Sequence, residues 1–201
     1  MNKMQNTKSL IKETVAIILV SLAVVIPIRI YIAQPFIVSG GSMDNTFING
    51  QYLIVDEISY RFESPQRGDV VIFKIPPEAV ALSSNMLSSK IYFIKRIIGL
   101  PGETVSIDGN DVTIINKDNP DGMKLVEKYT LVDNTIHQTI SMKKTWTLGN
   151  NEYFVMGDNR DNSSDSRYWG PLKADLIKGR PMIRLFPITK ISFLPGKVTF
   201  K

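Results

Sequence analysis

Cysteine is absent from the 201 residues of this chain, and histidine occurs once. Without thiols there is neither a disulfide framework nor a thiolate zinc site. A single histidine leaves one candidate for the base of a Ser-His mechanism. That residue, His137, lies in Thr135-Ile136-His137-Gln138-Thr139 with nothing local to bring a nucleophile beside it, and it reads as a surface or hairpin histidine. A large charge of one sign is lacking too. The formal net charge is +5, and three of those charges come from the first 35 residues, where Lys3, Lys8, Lys12 and Arg29 face only Glu13. The remaining +2 makes no basic face for phosphates, which excludes a nucleic-acid partner.

Long uncharged apolar runs are confined to one place. Residues 14–28 carry no charge, and the apolar character continues past Arg29 to Ala33 before Gln34-Pro35. A membrane helix needs roughly 20 mainly apolar residues, which 14–33 supplies if Arg29 snorkels to the headgroups from one end. Pro27 is tolerable in such a helix and Tyr31 suits the interface. Three lysines before the span place the N-terminus in the cytoplasm and the rest outside, in contact with the bilayer. The rival, a cleaved secretory leader, needs a small residue where bulky Tyr31 stands. A buried helix of a soluble protein fails because the segment has no polar face.

Beyond residue 36 short β-like runs alternate with turn residues. Candidate strands are 36–38, 52–55, 69–73, 91–98, 104–107, 112–115, 152–156 and 182–186, with a short helix only at 172–177. Asp108-Gly109-Asn110 between two alternating runs predicts a hairpin. The fold class expected is mainly β, antiparallel sheets curled into a barrel-like domain over 36–201, after a tail and anchor over 1–35. Residues 116–150 are more polar and less regular, an appended subdomain. Residues 76–90 form a loop with a greasy tip at Val80, Leu82, Met86 and Leu87, which either touches lipid or substrate or packs on its own domain.

The chemistry-bearing candidates are Ser42 and Lys95. Ser42 sits in Ser39-Gly40-Gly41-Ser42-Met43, where glycines permit a tight turn and close substrate approach. A serine hydroxyl needs an adjacent base and a donor to the oxyanion, for which the Ser42 backbone N–H is the natural choice. Strand alternation puts Ile91, Phe93, Lys95 and Ile97 on one face, and Tyr92, Ile94, Arg96 and Ile98 on the other. Lys95 then shares its face with large apolar groups, whose desolvation favours the neutral amine a general base requires. The alternative is a lysine pointing to solvent from an edge strand.

A third cluster runs from Gly157 to Gly170 after the strand 152–156. Counted from Asp158, Arg160 occupies a calcium-ligand position, and counted from Asp161 the required glycine is Ser166, so the run is no calcium loop. Alternating acids and arginines instead predict an internally paired loop, with Asp158, Arg160, Asp165 and Arg167 as partners that hold neighbouring groups rigid.

Four stretches in order, Ser39 to Phe47, Arg67 to Phe73, Tyr92 to Glu103 and Gly157 to Gly170, resemble the motifs of the type I bacterial signal peptidases, of the single-anchor kind. The resemblance implies a membrane serine endopeptidase with no metal or organic cofactor. Ser42 becomes the nucleophile, Lys95 the general base and Ser163 the hydroxyl that orients the lysine amine. Asp158, Arg160, Asp165 and Arg167 match the family's structural acids and arginines. Preprotein signal peptides, the implied partners, add as a strand beside Phe36, Ile37, Val38, Ser39, Gly40 and Gly41 and beside Tyr92, Phe93 and Ile94, with small pockets selecting Ala-x-Ala before the cut. Two positions depart from the pattern. Asn45 stands where many relatives have proline, and Gly40 where some have a hydroxyl, so the oxyanion hole rests on the Ser42 N–H. Two other readings remain open at this point: a Ser-Lys self-cleaving repressor relative, which would lack the anchor, and a silent membrane-tethered β domain that only binds extended peptides.

Overall fold

The computed structural model describes residues 2–27, 34–81, 92–130, 143–198 and 200. It opens with a helix, α1 (Asn2–Pro27), whose first half carries Lys3, Lys8, Lys12 and Glu13. The uncharged part inside α1 therefore covers residues 14–27, about 21 Å at the helical rise, against a hydrocarbon core of about 30 Å. Among the described residues no helix is long and apolar enough to cross a membrane. Arg29 and Tyr31, expected at the end of the span, lie outside the described residues, as do Leu82, Met86 and Leu87 of the greasy loop tip, Ile91 of the lysine face, and His137.

After α1 the chain is mainly β. The strands are β1 (Gln34–Ile37), β2 (Tyr52–Asp56), β3 (Val70–Lys74), β4 (Tyr92–Gly99), β5 (Thr104–Asp108), β6 (Asp111–Ile115), β7 (Met123–Lys124), β8 (Lys144–Thr147), β9 (Glu152–Met156), β10 (Leu172–Lys173), β11 (Ile177–Phe186) and β12 (Ser192–Phe193). Among the described residues they form two antiparallel sheets, ordered β1-β2-β11-β3-β4-β9-β10, with β12 on β11, and β7-β6-β5-β8.

The larger sheet curls because β11 serves two neighbours. Its N-terminal part pairs with β3 and its C-terminal part with β2, with register shifts on both sides. Pro181, which cannot donate to a ladder, sits next to one of these irregularities. In the smaller sheet Asp108 faces Asp111 across a two-residue loop, and Gly109 takes a φ of 58° there, as the hairpin signal predicts.

Strands β4 and β9 are covered on both faces, which explains why they read as nearly unbroken apolar runs. Ile97, Tyr153 and Val155 join a cluster with Val71, Phe73, Trp169 and Leu172, while Ile98, Phe154 and Met156 join one with Val105, Ile107, Val112 and Ile114 of the smaller sheet. A third cluster of Val38, Met43, Phe47, Leu53 and Val70 lies under the first loop.

Some sequence expectations need correction. The helix expected over 172–177 is the short strand β10 followed by a 3-10 turn Ala174–Leu176, because Leu172 pairs with Tyr153. Short helices form instead at α2 (Pro77–Ala81), which buries Ala79, and α3 (Ser166–Trp169), which Asp165 caps by accepting from the Arg167 N–H. β11 begins at Ile177, earlier than the expected 182, and β7, β8, β10 and β12 were not legible because each offers only two to four residues.

Glu103, at the corner between the sheets, accepts from Arg67 Nη2 at 2.5 Å, Asn116 Nδ2 at 2.9 Å and the Leu100 N–H at 2.8 Å. Burial alone would raise its pKa, but the Arg67 and Asn116 hydrogen bonds, the Leu100 N–H and the Arg67 charge together hold it below the ordinary 4.5. A carboxyl depressed in the folded state stabilises the protein above the unfolded-state value, and that contribution disappears as pH falls through the folded one. Glu103→Gln is expected to cost about 2 kcal/mol at pH 7 by urea denaturation. The gap from wild type should narrow steadily below pH 4.5, whereas a gap independent of pH would contradict this role.

Candidate active site

The loop between β1 and β2 is a tightly held turn. Val38 N donates to Gln51 O and Gly50 N to Val38 O, both at 2.9 Å, which closes its base. Gly40 takes a φ of 101° and donates its N–H to Asn49 Oδ1 at 3.0 Å. Residues 41–47 then coil, with Phe47 N donating to Met43 O at 2.8 Å, and the fully buried Met43 and Phe47 side chains plug the turn into the third cluster. Asn159 grips the turn from the opposite side, donating from Nδ2 to Gly41 O at 3.0 Å and from its backbone N to Ser42 O at 3.1 Å. Ser42 is left half-buried between these anchors.

Lys95 reaches this turn from the middle of β4. Its Nζ donates to Ser42 Oγ at 2.6 Å and to Ile94 O at 3.1 Å, and lies 5.2 Å from the centroid of the Phe93 ring. Only 3% of Lys95 is exposed, which rules out the solvent-facing alternative. The alternation predicted for β4 holds where it is described, since Phe93 and Ile97 pack into one cluster while Ile94 and Ile98 pack into others.

Ser163 is buried, and its Oγ has no hydrogen-bond partner among the described residues. It stacks on Gly157, where an added Cβ would run into Ser163 Oγ and would stand 2.5 Å from the Ser42 carbonyl oxygen. Glycine at 157 therefore lets the third motif close on the nucleophile turn.

The arginine and acid partners differ from the internal pairing predicted for the Gly157 to Gly170 run. Asp158 pairs with Arg96 rather than Arg160 or Arg167, receiving Nε at 2.8 Å and Nη2 at 2.6 Å, with both side chains wholly buried. The reason lies in β4, where alternation turns Arg96 away from Lys95 into the interior. A buried guanidinium there requires a carboxylate. Arg96 Nη1 also donates to Gly68 O at 2.7 Å and Gly196 O at 2.6 Å, and Thr46 Oγ1 donates to Asp158 Oδ2 at 2.5 Å. Arg160 likewise pairs outside the run, with Glu127 of the 116–150 excursion, through Nη1 at 2.8 Å and Nη2 at 2.5 Å. Burial would lower the Arg160 pKa, but the Glu127 carboxylate outweighs it and holds the guanidinium above its ordinary value. Only Asp165 and Arg167 pair within the run, at 2.8 Å and 2.9 Å, while Asp165 Oδ2 also accepts the Gly157 N–H at 3.0 Å.

The predicted peptide-contacting segments come together. β1 is an outer strand of the larger sheet, and Phe36 meets Tyr92 edge to face at 5.3 Å. Strand β4 pairs with β3 from Tyr92 onward, whereas its pairing with β9 begins at Arg96. Functional neighbours that the sequence did not single out are Arg96, Thr46, Asn49, Asn159, Glu127 and Tyr129. Only Arg96 carried a signal, a charge among apolar residues on a strand face. Among the described residues no group of three or more His, Asp or Glu side chains could hold a metal.

Comparison with known proteins bears on this arrangement. The model of the family described as signal peptidase, peptidase S26, matches residues 11–186. The chain is 35% identical to probable signal peptidase I-1 of Synechocystis sp. over 94% of its own length and 89% of that protein. It is 30% identical to signal peptidase I of Bacillus licheniformis, covering 94% and 96% of the two chains. A crystal structure of a signal peptidase I from Enterococcus faecalis V583 aligns with 59% of this chain and 97% of that one, at 29% identity and a TM-score of 0.43. Matches this extensive in sequence make the chain a member of the signal peptidase family, peptidase S26.

Proposed function

We propose that this protein is a membrane-bound serine endopeptidase that removes signal peptides from exported preproteins after an Ala-x-Ala-like motif, with Ser42 as nucleophile and Lys95 as general base. The observation that carries the reading is the 2.6 Å contact between Lys95 Nζ and Ser42 Oγ at a lysine only 3% exposed. An amine at hydrogen-bond distance from the hydroxyl is placed to take its proton.

In the reaction the Lys95 amine accepts the Ser42 hydroxyl proton as Oγ attacks the scissile carbonyl carbon. The resulting oxyanion faces the Ser42 backbone N–H, which is engaged by no acceptor among the described residues. Collapse of this intermediate breaks the C–N bond, and the proton on Lys95 passes to the departing amine, the new N-terminus of the mature protein. Lys95 then takes a proton from water, whose oxygen attacks the acyl-serine ester. The second collapse returns the proton from Lys95 to Ser42 Oγ and releases the signal peptide as a carboxylic acid, which gives its remaining proton to solvent. Ser163 packs on Gly157 beside the nucleophile turn with its Oγ unpaired among the described residues, and its role in the reaction is to take a hydrogen bond from the amine and orient it once Lys95 turns toward it. Asp158, Arg160, Asp165 and Arg167 hold the surrounding backbone.

Substrate enters as an extended strand between the outer edge of β1 and residues 92–94 of β4, where backbone hydrogen bonds give affinity and alternate pockets give selection. The domain over 36–201 works outside the cytoplasm, tethered by the span 14–33 with the lysine-rich N-terminus inside. The exposed Phe186, Ile188, Ile191 and Phe193 around the β11–β12 connection supply an apolar face suited to lipid. Tethering raises the effective concentration of a substrate whose own apolar segment lies in the same bilayer.

The test uses the full chain reconstituted in phospholipid vesicles with a preprotein bearing an Ala-x-Ala site. The expected result is one cut after that motif, read by N-terminal sequencing, with the enzyme retained in the membrane after alkaline carbonate. A folded protein that leaves the preprotein intact would contradict the reading.

A further inference from the structure

Glu127 and Tyr129 connect the pieces of the fold that hold Ser42 in place. Asn45, three residues beyond Ser42, has a φ of 88°, a conformation closed to proline. Its Nδ2 donates to the Tyr129 carbonyl at 3.0 Å. The Tyr129 ring covers the Arg96 guanidinium with 4.1 Å between its carbon and the ring centroid, and the Tyr129 hydroxyl donates to Glu127 Oε1 at 2.6 Å. Burial first, and then the Glu127 charge, push the Tyr129 hydroxyl well above its ordinary pKa, so it stays a donor. Glu127 takes both prongs of Arg160, whose Nε donates to Gly157 O at 3.1 Å and whose carbonyl accepts from Arg167 Nη2 at 2.6 Å. Gly157 in turn touches Ser163 and the Ser42 carbonyl. The path is continuous from Asn45 of the nucleophile turn, through the 127–129 segment beyond β7, to the 157–167 loop that packs against the other side of that turn.

We propose that Glu127 and Tyr129 are positioning residues for the Ser42–Lys95 pair, and that the 127–129 segment is a clasp holding the nucleophile turn and the 157–167 loop in register. The inference rests on the Ser-Lys reading given above. Arg160 and Glu127 are only 15% and 7% exposed at their side chains, so the paired fork is shielded from solvent and geometrically exacting. Asn45 gives this chain its own attachment to the clasp. A displacement of about 1 Å in reacting groups is enough to cost about a hundredfold in rate, so a clasp distant from the bond being cut still governs turnover.

The experiment compares wild type, Glu127→Gln, Asn45→Ala and the double variant in full-length protein. It measures kcat and KM on an Ala-x-Ala peptide, the acylation rate with a small activated ester, and the fraction of active sites by burst titration. Glu127→Gln should lower kcat about 10-fold to 30-fold with KM within about twofold, and should lower ester acylation in the same ratio per titrated site. Asn45→Ala should lower kcat about 3-fold to 10-fold. The double variant should lose less than the product of the two, because both act through one path. A kcat per titrated site unchanged in both single variants, or a loss accounted for entirely by fewer active sites, would overturn the proposal. If Glu127→Gln fails to fold, Asn45→Ala decides on its own. Peptide cleavage missing from the wild type would count against the substrate reading, and ester acylation would then decide the clasp.

Discussion

Lys95→Met is expected to lower peptide cleavage by about 10⁴-fold or more while leaving KM and the folded structure nearly unchanged. Ser42→Ala should do the same. Methionine matches the length and apolar surroundings of the lysine stem beside Phe93, so the cavity stays filled while the amine 2.6 Å from Ser42 Oγ is removed. Losing a residue that is only 3% exposed would ordinarily be costly, but here the substitution also removes a polar group from an apolar site. Circular dichroism and thermal melting should therefore report an intact fold, and the entire effect should appear in kcat. The two substitutions together should cost scarcely more than either alone, because nucleophile and base act as one unit. A Lys95→Met protein that retains more than about a hundredth of wild-type turnover would remove the lysine from the mechanism.

Arg96→Met should produce the largest loss of stability, about 3 to 5 kcal/mol, because it strands the wholly buried Asp158 carboxylate without its bidentate partner. For a chain of this size that corresponds to a fall in Tm of roughly 6 to 20 °C. Gly68 O and Gly196 O also lose their donor, so three separate segments are loosened at once. The sign is sharpened by the double variant Arg96→Met/Asp158→Leu, which removes both charges and should recover a large part of the loss. Recovery is limited because the two carbonyls stay unpaired and because Thr46 Oγ1 loses its acceptor. Melting temperatures of the two single variants and the double variant check this directly, and simple addition of the single losses would contradict it.

Much of this architecture can be read from residue patterns. The strands at 52–56, 104–108, 111–115 and 152–156 alternate or run apolar over five residues between turn signals, and each lies where the pattern puts it. The face of β4 that carries Lys95 follows from period two alone. What the pattern does not carry is the partner of each buried charge. Asp158, Arg160, Asp165 and Arg167 alternate in sequence, so pairing among them is the local solution, yet two of the four take partners 62 and 33 residues away. Long-range pairing of this kind depends on sheet order, and the order β3-β4-β9 brings Arg96 opposite Met156, two residues from Asp158. Helix 172–177 is misread for a related reason. Its composition suits a helix, but Leu172 finds an open edge of β9, and tertiary pairing overrides local preference. Asn49 and Asn159 left no signal at all, since an asparagine that bonds to backbone looks like any loop asparagine.

Acylation of the intact protein by an activated ester of a short peptide ending in Ala-x-Ala tests the central claim most directly. Rapid quenching followed by peptide mapping in a mass spectrometer identifies the modified residue. The expected result is a single acyl adduct on Ser42 in the wild type and none above background in Lys95→Met. An adduct on another residue, or equal acylation of Ser42 without the lysine amine, would contradict it.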